Sequence, residues 1–217
     1  MLRILTLDLC LKGLAAIVLS ASAVHANTLE QQLVLFYNVA QAPPSVIAEA
    51  QESAAQVFLQ AGIELAWLDC SAALGGQPGA SRCGEHMNSR SIIMQVVGSA
   101  GAFPGKQSLG YAAVGPEGGI KAVVFYDRVR QFTASGDPRC MLQQILGHAM
   151  AHEIGHLLLS LVGHTPSGIM AGTWRTKQLQ QAADGELFFT LNEAERMRKE
   201  VRRRSCPQAW DRRETAE

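Results

Sequence analysis

Residues 148–170 read HAMAHEIGHLLLSLVGHTPSGIM, and how they are understood decides how the rest of the chain must be arranged around them. Four of the six histidines fall here, at 148, 152, 156 and 164. His152 and His156 lie four residues apart, so on a helix their imidazoles leave the same face one turn apart and can share one metal ion. Glu153 sits between them, too short to reach that ion but placed to hold a water beside it. This is the H-E-x-x-H arrangement, in which zinc lowers the pKa of a bound water towards about 7 and the glutamate takes its proton. The same carboxylate can later hand the proton to a leaving amine. A buried helix rich in histidine is the bland alternative. Against it, the segment is apolar almost all round, and a Glu–His pair there is costly without a metal or other partner.

Further along, Gly163 precedes His164, and Thr165-Pro166-Ser167-Gly168 reads as a tight turn leading into Met170. HEIGH, the later His164 and the Gly-Ile-Met at 168–170 resemble the metzincin clan of zinc peptidases, whose signature is H-E-x-x-H-x-x-G-x-x-H followed by a methionine turn. Within the clan the match is nearest to small, exported matrixin-like and archaemetzincin-like members of bacterial type. The resemblance implies a single zincin-like α/β (α+β) domain with a mixed twisted sheet, a long active-site helix, a methionine turn and a C-terminal helix. It also implies His152, His156 and His164 as zinc ligands, Glu153 as general base and Met170 beneath the metal. The pattern departs in spacing: Leu159 stands where the clan has glycine, Val162 where it has the third histidine, and His164 comes eight residues after His156 instead of six. A helix running about half a turn longer and stopping at Gly163 would restore the geometry, since glycine takes the left-handed conformation that ends helices.

Two rivals compete for the third ligand. Glu193 lies in NEAERMRKE, like the downstream glutamate of thermolysin-like enzymes, yet Thr190-Leu191-Asn192-Glu193 is also a capping box that opens a final helix. His148 shares the helical face, but three ligands on successive turns converge poorly on one ion, so it reads as a core histidine or as one supporting the ligands. His86 reads as a surface residue.

Outward from this stretch, LVLFYN (33–38), IELAWLD (63–69), SIIMQVVG (91–98) and KAVVFYDRV (121–129) read as strands. Pro43-Pro44 opens a helix with Val46, Ile47, Ala50, Ala54, Val57 and Phe58 on one face, ended by Gly62. GYAAVG (110–115) reads as a short exposed strand along which an extended peptide could lie, with Tyr111 near the cleft. Asp137-Pro138 gives a helix start, acceptor then proline, from which the zinc-site helix runs on through Met141. The basic run RMRKEVRRR (196–204) suits a solvated helix C-terminus. GAFPGKQS (101–108) fails as a phosphate loop, because Gln107 follows its lysine and its first glycine is one residue too close. SRCGEH (81–86) resembles a propeptide switch but lies inside the domain.

The chain has 217 residues, 47% hydrophobic and 18% charged, with formal net charge zero. That balance gives no reason to expect nucleic acid or an anionic membrane as partner. Residues 1–26 read as a signal peptide: Arg3 and Lys12, then the apolar GLAAIVLSASA, then Val24-His25-Ala26 before a cleavage point at Asn27. Domain 27–217 would then be secreted or periplasmic, with no stable membrane insertion once the signal is removed. Cys70, Cys83, Cys140 and Cys206 would remain, and an even count in an oxidising compartment points to two disulfides. Four cysteines allow three connectivities. Cys70 and Cys83 enclose a short Gly-rich loop and form the natural local pair, leaving Cys140 with Cys206.

The sequence therefore predicts a Zn2+-dependent endopeptidase acting on a peptide or protein, through a zinc-bound water that Glu153 activates. The alternative is a metzincin-like domain that binds peptides, its zinc structural and its activity lost.

Overall fold

The computed structural model describes residues 29–75, 80–88, 90–99, 108–115, 118–134, 141–160 and 163–205. The expected signal peptide, Cys10, Cys140 and Cys206 lie outside them. Five strands, β1 (Glu30–Asn38), β2 (Ile63–Asp69), β3 (Ile92–Val97), β4 (Gly110–Gly115) and β5 (Gly118–Phe125), form one sheet in the order β2-β1-β3-β5-β4. The first four positions are mutually parallel, and β4 closes one edge antiparallel to β5. The helices are α1 (Pro44–Gln60), α2 (Ala80–Glu85), α3 (Tyr126–Ala134), α4 (Leu142–Leu159), α5 (Thr176–Ala183) and α6 (Leu191–Ser205). This is the mixed α/β architecture that the alternating strand and helix signals predict.

Strand alternation sorts side chains between two unequal layers. Val34 and Phe36 of β1, with Ile92, Met94 and Val96 of β3 and Ala122 and Val124 of β5, join the large core shared with α1, α4 and α6. Leu35 and Tyr37 face the opposite side, where they pack with Cys70 and Cys83. Those cysteines form a disulfide with a Cα–Cα distance of 5.9 Å, which ties the end of β2 to α2 over the otherwise thinly covered face.

α1 begins at the proline pair and ends before Gly62, whose φ of +76° lets the chain turn straight into β2. α4 lies against α1, β4 and β5, and its residues from Ile145 to Leu159 are all buried. At Gly147 the two helices approach so closely that a Cβ would meet the Ala50 carbonyl and sit 2.6 Å from the Ser53 Cβ.

The zinc-site helix starts at Leu142, with Met141 as an extended N-cap, and the expected start at Asp137-Pro138 lies outside the described residues. Two expectations need correction. The helix ends at Leu159, with Ser160 as C-cap in the left-handed conformation (φ 49°, ψ 42°), so it does not run on to Gly163. A serine does the work expected of the glycine, because the cap N–H still reaches the His156 carbonyl. Finally, 121–129 is not one strand. β5 stops at Phe125 and the chain winds directly into α3, with the Asp127 N–H bonded to the Gly98 carbonyl (2.9 Å) at the junction.

Candidate metal centre

α4 supplies His152 and His156 from adjacent turns, and His164 comes to the same place. One ligand nitrogen from each of the three lies within 4.8 Å of the others. His152 Nε2 and His156 Nε2 are 3.1 Å apart. Two ligands about 2.0–2.1 Å from a tetrahedral zinc stand about 3.3 Å from each other, so this pair already has the spacing of one tetrahedral edge. The His152 and His164 rings stack at 5.4 Å, and His156 and His164 meet edge to face at 5.0 Å. His152 and His156 are buried, while His164 is exposed.

The tautomer of His152 follows from its partner. Its Nδ1 lies 2.7 Å from the Ile169 carbonyl, which can only accept, so Nδ1 carries the hydrogen and Nε2 keeps its lone pair facing His156. Burial lowers the His152 pKa to about 4, against the bond to Ile169 that works in the opposite direction, with a smaller push from His156 and His164. The imidazole is therefore neutral near pH 7, the form a metal requires. Three imidazoles with converging nitrogens fit zinc by donor type and spacing.

Glu153 is only 6% exposed, and burial pushes its pKa up to about 8; among the described residues no charged partner holds its carboxylate. Its side chain rests on β4: a Cβ at Gly110 would collide with the Val123 carbonyl and sit 2.9 Å from Glu153 Oε1. Only glycine at that point of the edge strand leaves the carboxylate its room.

Met170 is fully buried and packs against α4 at Gly155. Gly155, a wildcard position of HEIGH, is what admits it, since a Cβ there would stand 2.7 Å from both Met170 Sδ and Phe189 Cε1. The turn before Met170 uses Gly168 at φ +72°. The Thr165 N–H bonds the Met170 carbonyl (3.0 Å), closing the loop that carries His164. Gly172 lies under His164, with a hypothetical Cβ 3.0 Å from its Cγ.

Glu193 is taken up elsewhere. It accepts from the Thr190 N–H (2.7 Å), returns its own N–H to Thr190 Oγ1 (3.3 Å), and receives Thr165 Oγ1 at 3.0 Å. It forms the capping box of α6 and fastens the His164 loop, and it is not among the converging ligands. His148 is buried in the core, where burial lowers its pKa and its Nδ1 lies 2.8 Å from the Gln144 carbonyl. His86 is on the surface. Tyr111 packs near Phe125, ring centroids 6.0 Å apart, on the edge strand β4.

Trp174 was not visible from the sequence. Its Nε1–H donates to the same Ile169 carbonyl (3.1 Å), and its ring meets those of His152 (5.8 Å) and His148 (6.4 Å) edge to face. No spacing rule links it to HEIGH, because the contact exists only once the turn has folded back.

No family model matches the chain, and no curated protein does. Among solved structures it is similar to archaemetzincin from Methanopyrus kandleri, with 17% identity and a TM-score of 0.47 over 82% of this chain and 99% of that one.

Proposed function

We propose that the protein is a zinc-dependent metallopeptidase. The observation that supports this most directly is the convergence of His152, His156 and His164 beside a buried carboxylate, Glu153, that has no ion-pair partner among the described residues. A structural metal site has no use for such a group, and leaving it buried without a partner is costly.

Zinc held by the three imidazoles would supply Lewis acidity, making water more acidic and polarising the scissile carbonyl. The chain's own residues do the rest. Glu153 accepts the proton of the attacking water and delivers it to the departing amine nitrogen as the C–N bond breaks. Its raised pKa suits both duties, and a nearby dication would draw it back down. β4 is the edge strand of the described sheet and lies next to Glu153, where an extended peptide can pair as a further strand, and this favours internal peptide bonds as the substrate.

The test is zinc content and peptide cleavage for wild type, Glu153→Ala and His164→Ala. Glu153→Ala should keep one zinc and lose cleavage by about 10²–10⁴-fold. His164→Ala should bind zinc markedly more weakly. A Glu153→Ala protein that cleaves like wild type would sink the mechanism and leave the peptide-binding alternative.

We further propose export through the signal 1–26, in keeping with the Cys70–Cys83 disulfide, which belongs to an oxidising compartment. Amino-terminal sequencing of protein recovered from outside the cytoplasm should begin at Asn27. A start at Met1 would refute it.

A further inference from the structure

We propose that Trp174 is a positioning residue for the zinc ligand His152, acting through the carbonyl of Ile169; the inference rests on the metal-site reading above. The Ile169 oxygen has two lone pairs, and two protein donors occupy it: His152 Nδ1–H at 2.7 Å and Trp174 Nε1–H at 3.1 Å. With both positions filled, water has no place on this carbonyl, and its direction is fixed from two sides. That direction in turn fixes the tautomer of His152, and so the aim of the Nε2 lone pair at the point it shares with His156.

The indole acts a second time through its bulk. It stands edge to face against His152, interplanar angle 80°, and against His148 one turn earlier, at 88°. His148 is itself immobilised, with Nδ1 at 2.8 Å from the Gln144 carbonyl and 3.4 Å from Ser53 Oγ on α1. A rotation of the His152 ring therefore has to displace Trp174, which is backed by the buried His148 ring. Trp174 also closes its own turn: the bond to Ile169 spans only five residues, and Met170 lies inside the span. Ligand aim and methionine turn are thereby set by one side chain. A partner that orients the far nitrogen of a metal-bound histidine typically contributes 10–100-fold in metal affinity.

The experiment compares wild type with Trp174→Phe, which keeps an aromatic ring but lacks the N–H, and with Trp174→Ala. In metal-free, full-length protein at pH 7.5, two-bond nitrogen–proton NMR correlations report the His152 tautomer, and competition with a chromophoric chelator reports the zinc Kd. Wild type should show the Nδ1–H form alone. Trp174→Phe should keep its circular dichroism and thermal midpoint, show a mixture of tautomers, and bind zinc about tenfold more weakly. Trp174→Ala should lose more. A Trp174→Phe protein with a single tautomer and a zinc Kd within twofold of wild type overturns the proposal, whatever its thermal stability. If wild type takes up no zinc, the metal-site reading fails instead, and the tautomer comparison still decides the role of Trp174.

Discussion

At the scale of single residues, the site is a set of groups whose charge states are set by burial. Glu153 and His152 are neighbours in sequence and are shifted in opposite senses, the acid up to about 8 and the base down to about 4. Both shifts favour the neutral form, as a low-dielectric interior requires. In chelator-treated protein each leaves a mark on stability. The folded pKa of Glu153 exceeds its ordinary 4.5, so folded protein binds the extra proton between those values. Its contribution is complete at low pH and is lost as pH rises towards 8. His152 is depressed from 6.5, so its contribution is present above 6.5 and is lost as pH falls towards 4. The window from pH 6.5 to 8 isolates Glu153. Denaturant unfolding of the metal-free protein there should lose about 1–2 kcal/mol with rising pH. Glu153→Gln should be flat over the same window, and an equal slope in both proteins would show that Glu153 is not the cause. HEIGH was legible in the sequence because its geometry is local, two histidines on one helical face. Gly155 and Gly110 were not, because the atoms that demand glycine there, Met170, Phe189 and the Glu153 carboxylate against β4, arrive from elsewhere in the chain.

At the scale of elements, the helix that carries His152 and His156 ends before His164 is reached. α4 ends at Leu159, and the left-handed turn falls on Ser160. The sequence offered Gly163 as the visible helix stop, and a serine in the left-handed region leaves no signal of its own. The same limit applies at β5, where neither glycine nor proline marks the passage from Phe125 into α3. Elements with their own punctuation were readable: α1 between its prolines and Gly62, and α6 from its capping box. The left-handed Ser160 has a consequence. A side chain in that conformation costs about 1–2 kcal/mol, and a β-branched one is worse placed still. Ser160→Gly should leave chemical stability equal or higher and zinc affinity unchanged. Ser160→Val should lower stability by at least about 1 kcal/mol. Thermal and urea unfolding of the pair decides the matter, and a Val variant as stable as the Gly variant would place the helix end elsewhere.

At the scale of the whole molecule, the sheet and the site depend on the metal to different degrees. The strands, α1 and the buried face of α4 share one core. The segment 163–174 enters that core through Ile169 and Met170, and its outer part, around His164, is exposed. It touches the rest of the protein through the Thr165–Glu193 bond, the Ile169 N–H to the Phe188 carbonyl (3.0 Å), the buried Ile169 and Met170, and the rings around His152. His164 itself is exposed, and among the described residues its ring meets His152, His156 and the Gly172 backbone. Bound zinc would join this segment to α4 at one point, and a ligand that binds only the folded form stabilises it by mass action, about 4 kcal/mol at a thousandfold excess over Kd. That stabilisation should be concentrated locally, since regions with few buried contacts open independently of the core. Hydrogen exchange of zinc-loaded and chelated protein should therefore differ most at the amides of Thr165, Ile169 and Ala171, whose bonds close the loop. Amides of β1 and β3 should differ only by the change in global stability. Glu193→Gln should raise exchange in the same loop even with zinc bound, because it weakens the link between Thr165 and α6. Uniform protection across loop and sheet in both states would mean that the loop is part of the core and that the metal adds nothing to its order.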